Sequence, residues 1–376
     1  MSRPARHLPR ELNGACGDLG TFLPYAVGAI TVGGLGAVGV LFGFGVALIA
    51  AGLFYGLPMS VQPMKAVSAV LLTSGLTPGE VAMAGLLIGA SLLALGLTGG
   101  ITWLARRIPP SVTLGLTLGL GLSMLALGLK LMTDAPLLGA GALAFAVAAM
   151  FFTRLPLLAL GVFAVLAAPW LGLSDEVPTL AGFGLSLPQL ALPTWADLPR
   201  ALELAVLPQI PLTASNAIIV TAAVTASLFP QQAARTSERN LALSTGLGNL
   251  LLAPLGALPM CHGAGGVVAQ HRFGARSCCA PVLLGAMLLA AALFAGDSAA
   301  ALLAAFPLPI AGALLVVAGA DLAFSQRLFA TRRDCWPVIG ITAVVAFAFN
   351  PAWALAAGLL MESARSLARR RRASPH

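Results

Sequence analysis

Two stretches that share a Leu-Pro-Met opening decide the fold: GLPMSVQPMK at residues 56–65 and ALPMCHGAGG at residues 257–266. Each follows a long apolar run and leads into a segment, near 63–75 or 263–272, that is too short to span a hydrocarbon core of about 30 Å. Irregular backbone is tolerated at membrane depth only where it is buried in protein or lines a cavity. The two stretches therefore predict extended segments that lead into half-helices.

The composition indicates that most of the chain is embedded in lipid. Hydrophobic residues make up 59% of the 376 residues and charged residues only 9%, whereas soluble domains carry about 25% charged residues. The net charge of +8 does not indicate a nucleic-acid partner, because the arginines lie in the gaps between apolar runs. The five cysteines form no C-x-x-C pair, so we expect free thiols, no metal site and no cofactor.

Prolines, glycines and charged residues divide the chain into apolar segments. These segments predict an all-α integral membrane protein with about 14 transmembrane segments. A count of 12 is the alternative. In the first half, the segments lie near 13–30, 34–54, 63–75, 80–99, 111–132, 136–152 and 155–171. In the second half, they lie near 200–228, 238–256, 263–272, 277–296, 299–321, 335–349 and 351–366.

The charges between these segments separate by sign. Arginines occupy one set of loops and both ends of the chain, whereas the opposite loops carry most of the acidic residues. Because cytoplasmic loops are enriched in Lys and Arg, both termini are predicted to be cytoplasmic. We favour 14 segments over 12 since that count keeps each basic loop on one side. Compact loops indicate a bacterial inner membrane, with membrane lipid as a partner.

The longest polar link divides the chain into two similar halves. We predict a first membrane repeat at 1–172, an extracytoplasmic link at 173–199, a second repeat at 200–368 and a basic cytoplasmic tail at 369–376. Seven segments per half place the two repeats in opposite orientations, which is the inverted-repeat design of many secondary transporters.

The half-helices predict an anion site. Each begins with unpaired N–H groups and a partial positive charge, so two such ends meeting at mid-membrane would form an anion cradle. Lys65 adds a full positive charge, and Gly263 and Gly265 let the backbone approach a ligand closely. The alternative is that proline and glycine serve only kinks and close helix packing, which is also our interpretation of Gly115, Gly119 and Gly121.

Polar residues in the same segments complete the candidate substrate site. Asp18 is an ionisable residue inside an apolar helix, and Gln209 holds the matching place in the second repeat. Asp18 alternatively forms a local salt bridge, for example to Lys65, and His262 is alternatively a structural histidine. Asp18, His262 and Glu203 are candidates for ion coupling, and Asp321 is a weaker candidate site residue. The remaining candidate ligands are Thr21, Ser60, Gln62, Thr213, Ser215, Asn216 and Cys261.

Four motifs carry a resemblance to a known family: GDLGTFLP at 17–24, GLPMSVQPMK at 56–65, PQIPLTASN at 208–216 and PMCHGAGG at 259–266. Together they resemble the molybdate transporter family, which is related to the sulfate permeases. The resemblance implies molybdate uptake and the seven-plus-seven fold of sulfate and uracil permeases. It also implies a core of helices one to four and eight to eleven, a gate of the other helices, and a homodimer. The Arg-rich end in place of a soluble STAS domain fits the molybdate branch.

The sequence thus predicts a secondary active transporter that imports a tetrahedral oxyanion and is coupled to protons. The family resemblance implies that the oxyanion is molybdate. The alternatives are a sulfate permease, a nucleobase or aromatic-acid permease on the same fold, and an anion channel. A nucleobase permease is expected to place carboxylates where Gln209 and His262 stand. Neither a nucleophile–base arrangement nor a phosphate-binding loop occurs, so the chain is not predicted to be an enzyme.

Overall fold

The chain is mostly helical in the computed structural model, which describes residues 8–151, 184–296, 298 and 307–373. Two short strands, β1 (Val61–Pro63) and β2 (Met260–His262), accompany the helices. The helices are α1 (Leu8–Thr31), α2 (Ala37–Tyr55), α3 (Lys65–Ser74), α4 (Pro78–Thr98), α5 (Gly100–Arg107), α6 (Pro110–Leu131), α7 (Pro136–Phe151), α8 (Trp195–Leu228), α9 (Glu238–Leu252), α10 (Ala264–Arg272), α11 (Cys279–Phe294), α12 (Leu308–Ala323), α13 (Gln326–Phe329), α14 (Trp336–Ala348) and α15 (Pro351–Ala373).

A helix coincides with each predicted segment that falls within the described ranges, and 155–171 lies outside them. Within these ranges, five helices are long and apolar enough to cross a membrane by themselves: α2, α4, α6, α8 and the Leu308–Phe329 stretch that contains α12. The protein is therefore a multi-pass membrane protein, while the count of 14 stays a prediction.

The two Leu-Pro-Met stretches form an antiparallel strand pair. Val61 lies opposite His262 and Pro63 opposite Met260, and the half-helices α3 and α10 begin two residues after the strands end. Pro63 has no N–H to donate, and the Met64 N–H bonds to the carbonyl oxygen of Pro259 at 2.8 Å. The prediction of extended segments leading into half-helices is confirmed.

Helix contacts follow the pattern of two inverted repeats. If α1 corresponds to α8, then α2 corresponds to α9, α4 to α11 and α6 to α12. Under this correspondence, the α2–α11 contact is equivalent to the α4–α9 contact. The α1–α10 contact is equivalent to the α3–α8 contact in the same way. Likewise α6 packs on α14 as α12 packs on α7. Antiparallel β1 and β2 fit the same symmetry, because equivalent segments of inverted repeats run in opposite directions.

Close packing separates the helices into two groups. We name α1–α4 with α8–α11 the core group, and α6, α7, α12, α14 and α15 the gate group. The strongest contacts lie within a group, as between α2 and α11 or between α6 and α12, while α1 with α12 and α3 with α6 join the two groups. Among the described helices, the groups agree with the core and gate that the family resemblance implies.

Glycine pairs allow the main helix pairs to approach closely. A Cβ atom on Gly45 of α2 would lie 2.9 Å from the carbonyl oxygen of Gly285 on α11, and one on Gly285 would lie 2.7 Å from that of Gly45. The symmetry-related pair, Gly89 of α4 and Gly246 of α9, shows the same reciprocal contact at 2.9 and 2.8 Å. Small residues thus let two backbones touch where lipid supplies no hydrophobic driving force.

Three features differ from the predicted boundaries. The predicted basic loop before the fifth segment contains the helix α5, which Gly99 separates from α4 with φ of 72°. α8 begins at Trp195, inside the predicted 173–199 link, and contains π-helical turns at Ala201–Val206 and Thr213–Ile219. α15 continues through the first part of the predicted 369–376 tail to Ala373.

Candidate functional site

The first turn of α3 is capped by a side chain from the other repeat. The Oε1 atom of Gln209 on α8 accepts hydrogen bonds from the backbone amides of Ala66 at 2.9 Å and Val67 at 3.3 Å. The Gln209 Nε2 atom donates to Thr213 Oγ1 at 2.8 Å, and both side chains are buried. Since both ends of its amide are engaged, Gln209 joins α8 to the half-helix.

The wide turns of α8 surround this cap. Pro208 and Pro211 have no N–H to donate, and the π-helical turns lie directly before and after the α-helical stretch Leu207–Leu212 that contains both prolines and Gln209. Such π-bulges are frequent at functional sites. Proline spacing is thus the local sequence signal for the irregular part of α8.

Asp18 holds the equivalent position against α10. Its side chain is 1% exposed. Its Oδ1 atom accepts from Ser60 Oγ and Gln62 Nε2, both at 2.9 Å, and Oδ2 accepts from Gln270 Nε2 at 3.1 Å. A Cβ atom on Gly266, in the first turn of α10, would collide with Asp18 Oδ1. The first helix of each repeat therefore places a polar side chain at the start of the half-helix in the other repeat.

Lys65 pairs with a carboxylate of the gate group. Its Nζ atom lies 3.0 Å from Oδ2 of Asp321, near the end of α12. The two side chains are 36% and 54% exposed, so the pair is open to solvent. Asp18 is engaged with Ser60, Gln62 and Gln270 instead, and the partner of Lys65 is the residue that the sequence ranked as a weaker candidate.

Two buried hydroxyl groups near Lys65 have no hydrogen-bond partner in the described part of the chain. These are Tyr25 Oη on α1, with the side chain 2% exposed, and Ser68 Oγ on α3, with the side chain fully buried. Tyr25 interacts electrostatically with both Lys65 and Asp321. Ser68 follows Lys65 by three residues on the same helix face. An unpaired buried hydroxyl costs free energy unless a ligand or water satisfies it.

Sequence reasoning missed Tyr25 and Ser68, although spacing offers a signal for each. Tyr25 follows Asp18 by seven residues, which places both side chains on one face of α1. Ser68 lies one turn after Lys65 on the half-helix. The hydroxyls could be recognised as candidates only once the structure showed that they lack partners.

His262 belongs to a hydrogen-bonded chain that leads away from the strands. Its Nδ1 atom lies 3.2 Å from the carbonyl oxygen of Ser60, so a neutral ring that donates there accepts at Nε2. The Nε2 atom lies 2.8 Å from Ser244 Oγ, which lies 2.6 Å from the Tyr55 hydroxyl. That hydroxyl donates to the Asn240 carbonyl oxygen at 3.2 Å.

The glycines and the thiol of the second stretch differ in their surroundings. Gly263 packs against the Gln62 amide, whereas Gly265 is exposed and a Cβ atom there would meet no atom within 4 Å. Cys261 is a partly buried free thiol. These residues, with Lys65 and Asp18, lie around the starts of the two half-helices.

Three further candidates on α8 have partners elsewhere. Ser215 Oγ donates to the Pro211 carbonyl oxygen at 2.7 Å, and Asn216 Oδ1 accepts from Arg327 at 2.7 Å. Glu203 accepts a hydrogen bond from Asn350. The Thr21 side chain lies outside the described residues. Among those described, no three His, Cys, Asp or Glu side chains converge as a metal site would require.

Comparison with solved structures shows that this fold is shared with known membrane proteins. The transmembrane domain of a cyanobacterium bicarbonate transporter, BicA, aligns with a TM-score of 0.67 over 94% of this chain and 98% of that chain, at 18% identity. The murine Slc26a9 anion transporter in the inward-facing state aligns with a TM-score of 0.70 over 96% of this chain and 68% of that one, at 14% identity.

Sequence comparison then identifies the family. A family model described as "Molybdate transporter of MFS superfamily" matches residues 10–124 and 201–322, so each repeat contributes one matched stretch that contains its half-helix. Molybdate transporter 2 of Arabidopsis thaliana is 31% identical over 90% of this chain and 83% of its own length. The chain belongs to the molybdate transporter family.

Proposed function

We propose that this protein is a secondary active transporter that imports molybdate, and that the anion binds beside Lys65 at the start of α3. The observation that carries the proposal is the set of unsatisfied donors there: the Tyr25 and Ser68 hydroxyls have no partner among the described residues, next to the Lys65 ammonium group. A tetrahedral oxyanion offers several acceptor oxygens to such a set. Membership of the molybdate transporter family supports molybdate as the substrate.

The electrostatics support an anion position nearer α3 than α10. The amides at the start of α3 are capped by the neutral Gln209 amide, so the positive end of the half-helix keeps its field and Lys65 adds to it. The start of α10 already faces the Asp18 carboxylate. Since like charges repel, α10 contributes open space at Gly265 rather than the main positive charge.

Uptake into liposomes by the purified full chain tests the proposal. Saturable molybdate uptake that resists excess sulfate, and that falls at least about tenfold in Lys65→Ala, is expected, because loss of a charge-assisted hydrogen bond costs about 1.5–3 kcal/mol. Lys130→Ala is the matched control, since Lys130 is exposed at the end of α6. Uptake suppressed equally by sulfate would indicate a general sulfate permease, and a folded protein that moves neither anion would redirect the search to nucleobases.

Proton coupling is proposed to run through His262. Of the three coupling candidates, Asp18 is held by three side-chain donors and Glu203 by Asn350, whereas His262 continues into the chain of Ser244 and Tyr55. In liposomes, His262→Gln is expected to keep molybdate exchange but to lose stimulation by an inward proton gradient. His271→Gln is the control, because His271 lies at the other end of α10. Stimulation that persists in His262→Gln would remove His262 from the coupling path.

The topology is proposed from the charge pattern. Arginines in one set of loops and at both ends support cytoplasmic termini. The compact loops support a bacterial inner membrane. Three curated relatives with 28–31% identity come from Arabidopsis thaliana and Chlamydomonas reinhardtii. Labelling of cysteines introduced at either end in intact cells tests the orientation, and the mass of the detergent-solubilised protein tests the homodimer.

A further inference from the structure

The Lys65–Asp321 ion pair joins the two helix groups at the candidate site. Lys65 is the first residue of the half-helix α3 in the core group, and Asp321 lies in the last turn of α12 in the gate group. The Nζ and Oδ2 atoms are 3.0 Å apart. Because both side chains are more than a third exposed, an ion in solution can reach the pair.

The Asp321 carboxylate and an oxyanion would bind the same ammonium group of Lys65. Each is an oxygen acceptor with negative charge, and each gains a charge-assisted hydrogen bond from the ammonium group. An oxyanion that contacts Nζ would lie close to the carboxylate, and like charges at that separation repel. Tyr25 also faces this pair, and its neutral hydroxyl can donate to either acceptor.

We propose that Asp321 is a competing carboxylate, which occupies the anion position at Lys65 in the empty protein and is displaced when the oxyanion binds. This inference rests on the proposed function of Lys65 as an anion ligand. Asp321 thereby sets the affinity of the site, since each bound anion must break the ion pair. Because the pair joins α3 to α12, its displacement also removes a contact between the core and gate groups.

Molybdate binding to the purified full chain, measured by calorimetry, tests the competition. Asp321→Asn is expected to bind molybdate about two- to fivefold more tightly, which is the range for release from a solvent-exposed ion pair. Asp321→Glu keeps the competing charge and is expected to stay within about twofold of the unmodified protein. Asp334→Asn is the matched control, because Asp334 pairs with Arg365 and Arg369 away from the site and its loss should leave molybdate affinity unchanged.

Lys65→Ala separates failure of this inference from failure of the proposed site. If Lys65→Ala does not weaken molybdate binding, the proposed site itself is wrong. If Lys65→Ala weakens binding but Asp321→Asn leaves it unchanged or weaker, Asp321 does not compete and the inference is overturned. Asp321→Ser serves the same comparison should Asp321→Asn fail to fold.

Discussion

The Gln209 side chain caps a half-helix that belongs to the other repeat, with its Oε1 atom 2.9 Å from the backbone nitrogen of Ala66. Asp18 stands in the equivalent place at the start of α10, where it accepts three side-chain hydrogen bonds. Each repeat therefore places a polar side chain against the half-helix of the other, and Gln209 is the one that caps backbone amides. Each half-helix depends on a residue more than 100 positions away in sequence, since 143 residues separate Gln209 from Ala66 and 252 separate Asp18 from Gln270.

Removal of the α3 cap should destabilise the protein. Gln209→Ala leaves the Ala66 amide without its buried acceptor, which costs about 1–3 kcal/mol of unfolding free energy. Gln209→Glu keeps an acceptor oxygen for the Ala66 amide but adds a negative charge near Lys65, so it should bind molybdate more weakly. Thermal unfolding in detergent and calorimetric binding separate the two effects. Gln231→Ala, at an exposed position, is the control. Equal unfolding temperatures of Gln209→Ala and the unmodified protein would contradict the role of Gln209 as a cap.

Asp18→Asn should destabilise the protein although the side chain keeps its size. The carboxylate accepts from three donors, and an asparagine amide would turn two hydrogens toward one of them. A buried donor left without an acceptor costs about 1–3 kcal/mol. Asp134→Asn, at an exposed position, should have no effect on the unfolding temperature. An Asp18→Asn variant as stable as the unmodified protein would show that Asp18 need not be charged.

Tyr25→Phe should weaken molybdate binding without a loss of stability. The hydroxyl has no partner among the described residues, so its removal breaks no bond of the empty protein. A lost hydrogen bond to the anion should lower affinity by about fivefold, equivalent to about 1 kcal/mol. Tyr55→Phe is the contrasting variant, because its hydroxyl bonds to Ser244 and to the Asn240 carbonyl oxygen. Tyr55→Phe should therefore lose stability. Unchanged molybdate affinity in Tyr25→Phe would exclude the Tyr25 hydroxyl as a ligand.

Gly121→Ala should separate α6 from α12 in the gate group. A Cβ atom on Gly121 would lie 2.6 Å from the carbonyl oxygen of Gly319 and 2.5 Å from the amide nitrogen of Ala323, and backbone cannot yield as a flexible side chain can. Overpacking of this kind costs about 1–3 kcal/mol. Gly340→Ala, in α14, meets no atom within 4 Å and should raise stability by up to about 1 kcal/mol. Similar unfolding temperatures of Gly121→Ala and Gly340→Ala would contradict close packing at Gly121.

The half-helices could be predicted from sequence because proline and chain length leave few alternatives in lipid. The shared Leu-Pro-Met of residues 57–59 and 258–260, followed by segments too short to cross, predicts strands and half-helices, and both are present. Gly121 was interpreted as helix packing, and its contact with Gly319 confirms that interpretation. Candidates on the half-helix sequences, such as Lys65 and Gly265, also lie at the expected helix starts.

The partners of the site residues could not be predicted. Asp18 and Lys65 are both charged and both lie near a half-helix, so sequence alone allowed them to pair, yet each has other partners. The partner of Lys65 is Asp321, 256 residues away. Ser215 and Asn216 share a motif with Gln209, but the turns of α8 direct them to Pro211 and Arg327.

The sequence by itself determined that this is an integral membrane protein, that it has two related halves, and that each half contains an extended segment followed by a half-helix. Those properties depend on hydropathy, charge and backbone donors, which are local to each segment. Only the tertiary structure decided which half-helix Gln209 caps, which carboxylate Lys65 meets, and which hydroxyls, at Tyr25 and Ser68, have no partner. Those relationships depend on how two repeats cross, and contacts between residues far apart in the chain are set by packing rather than by local preference.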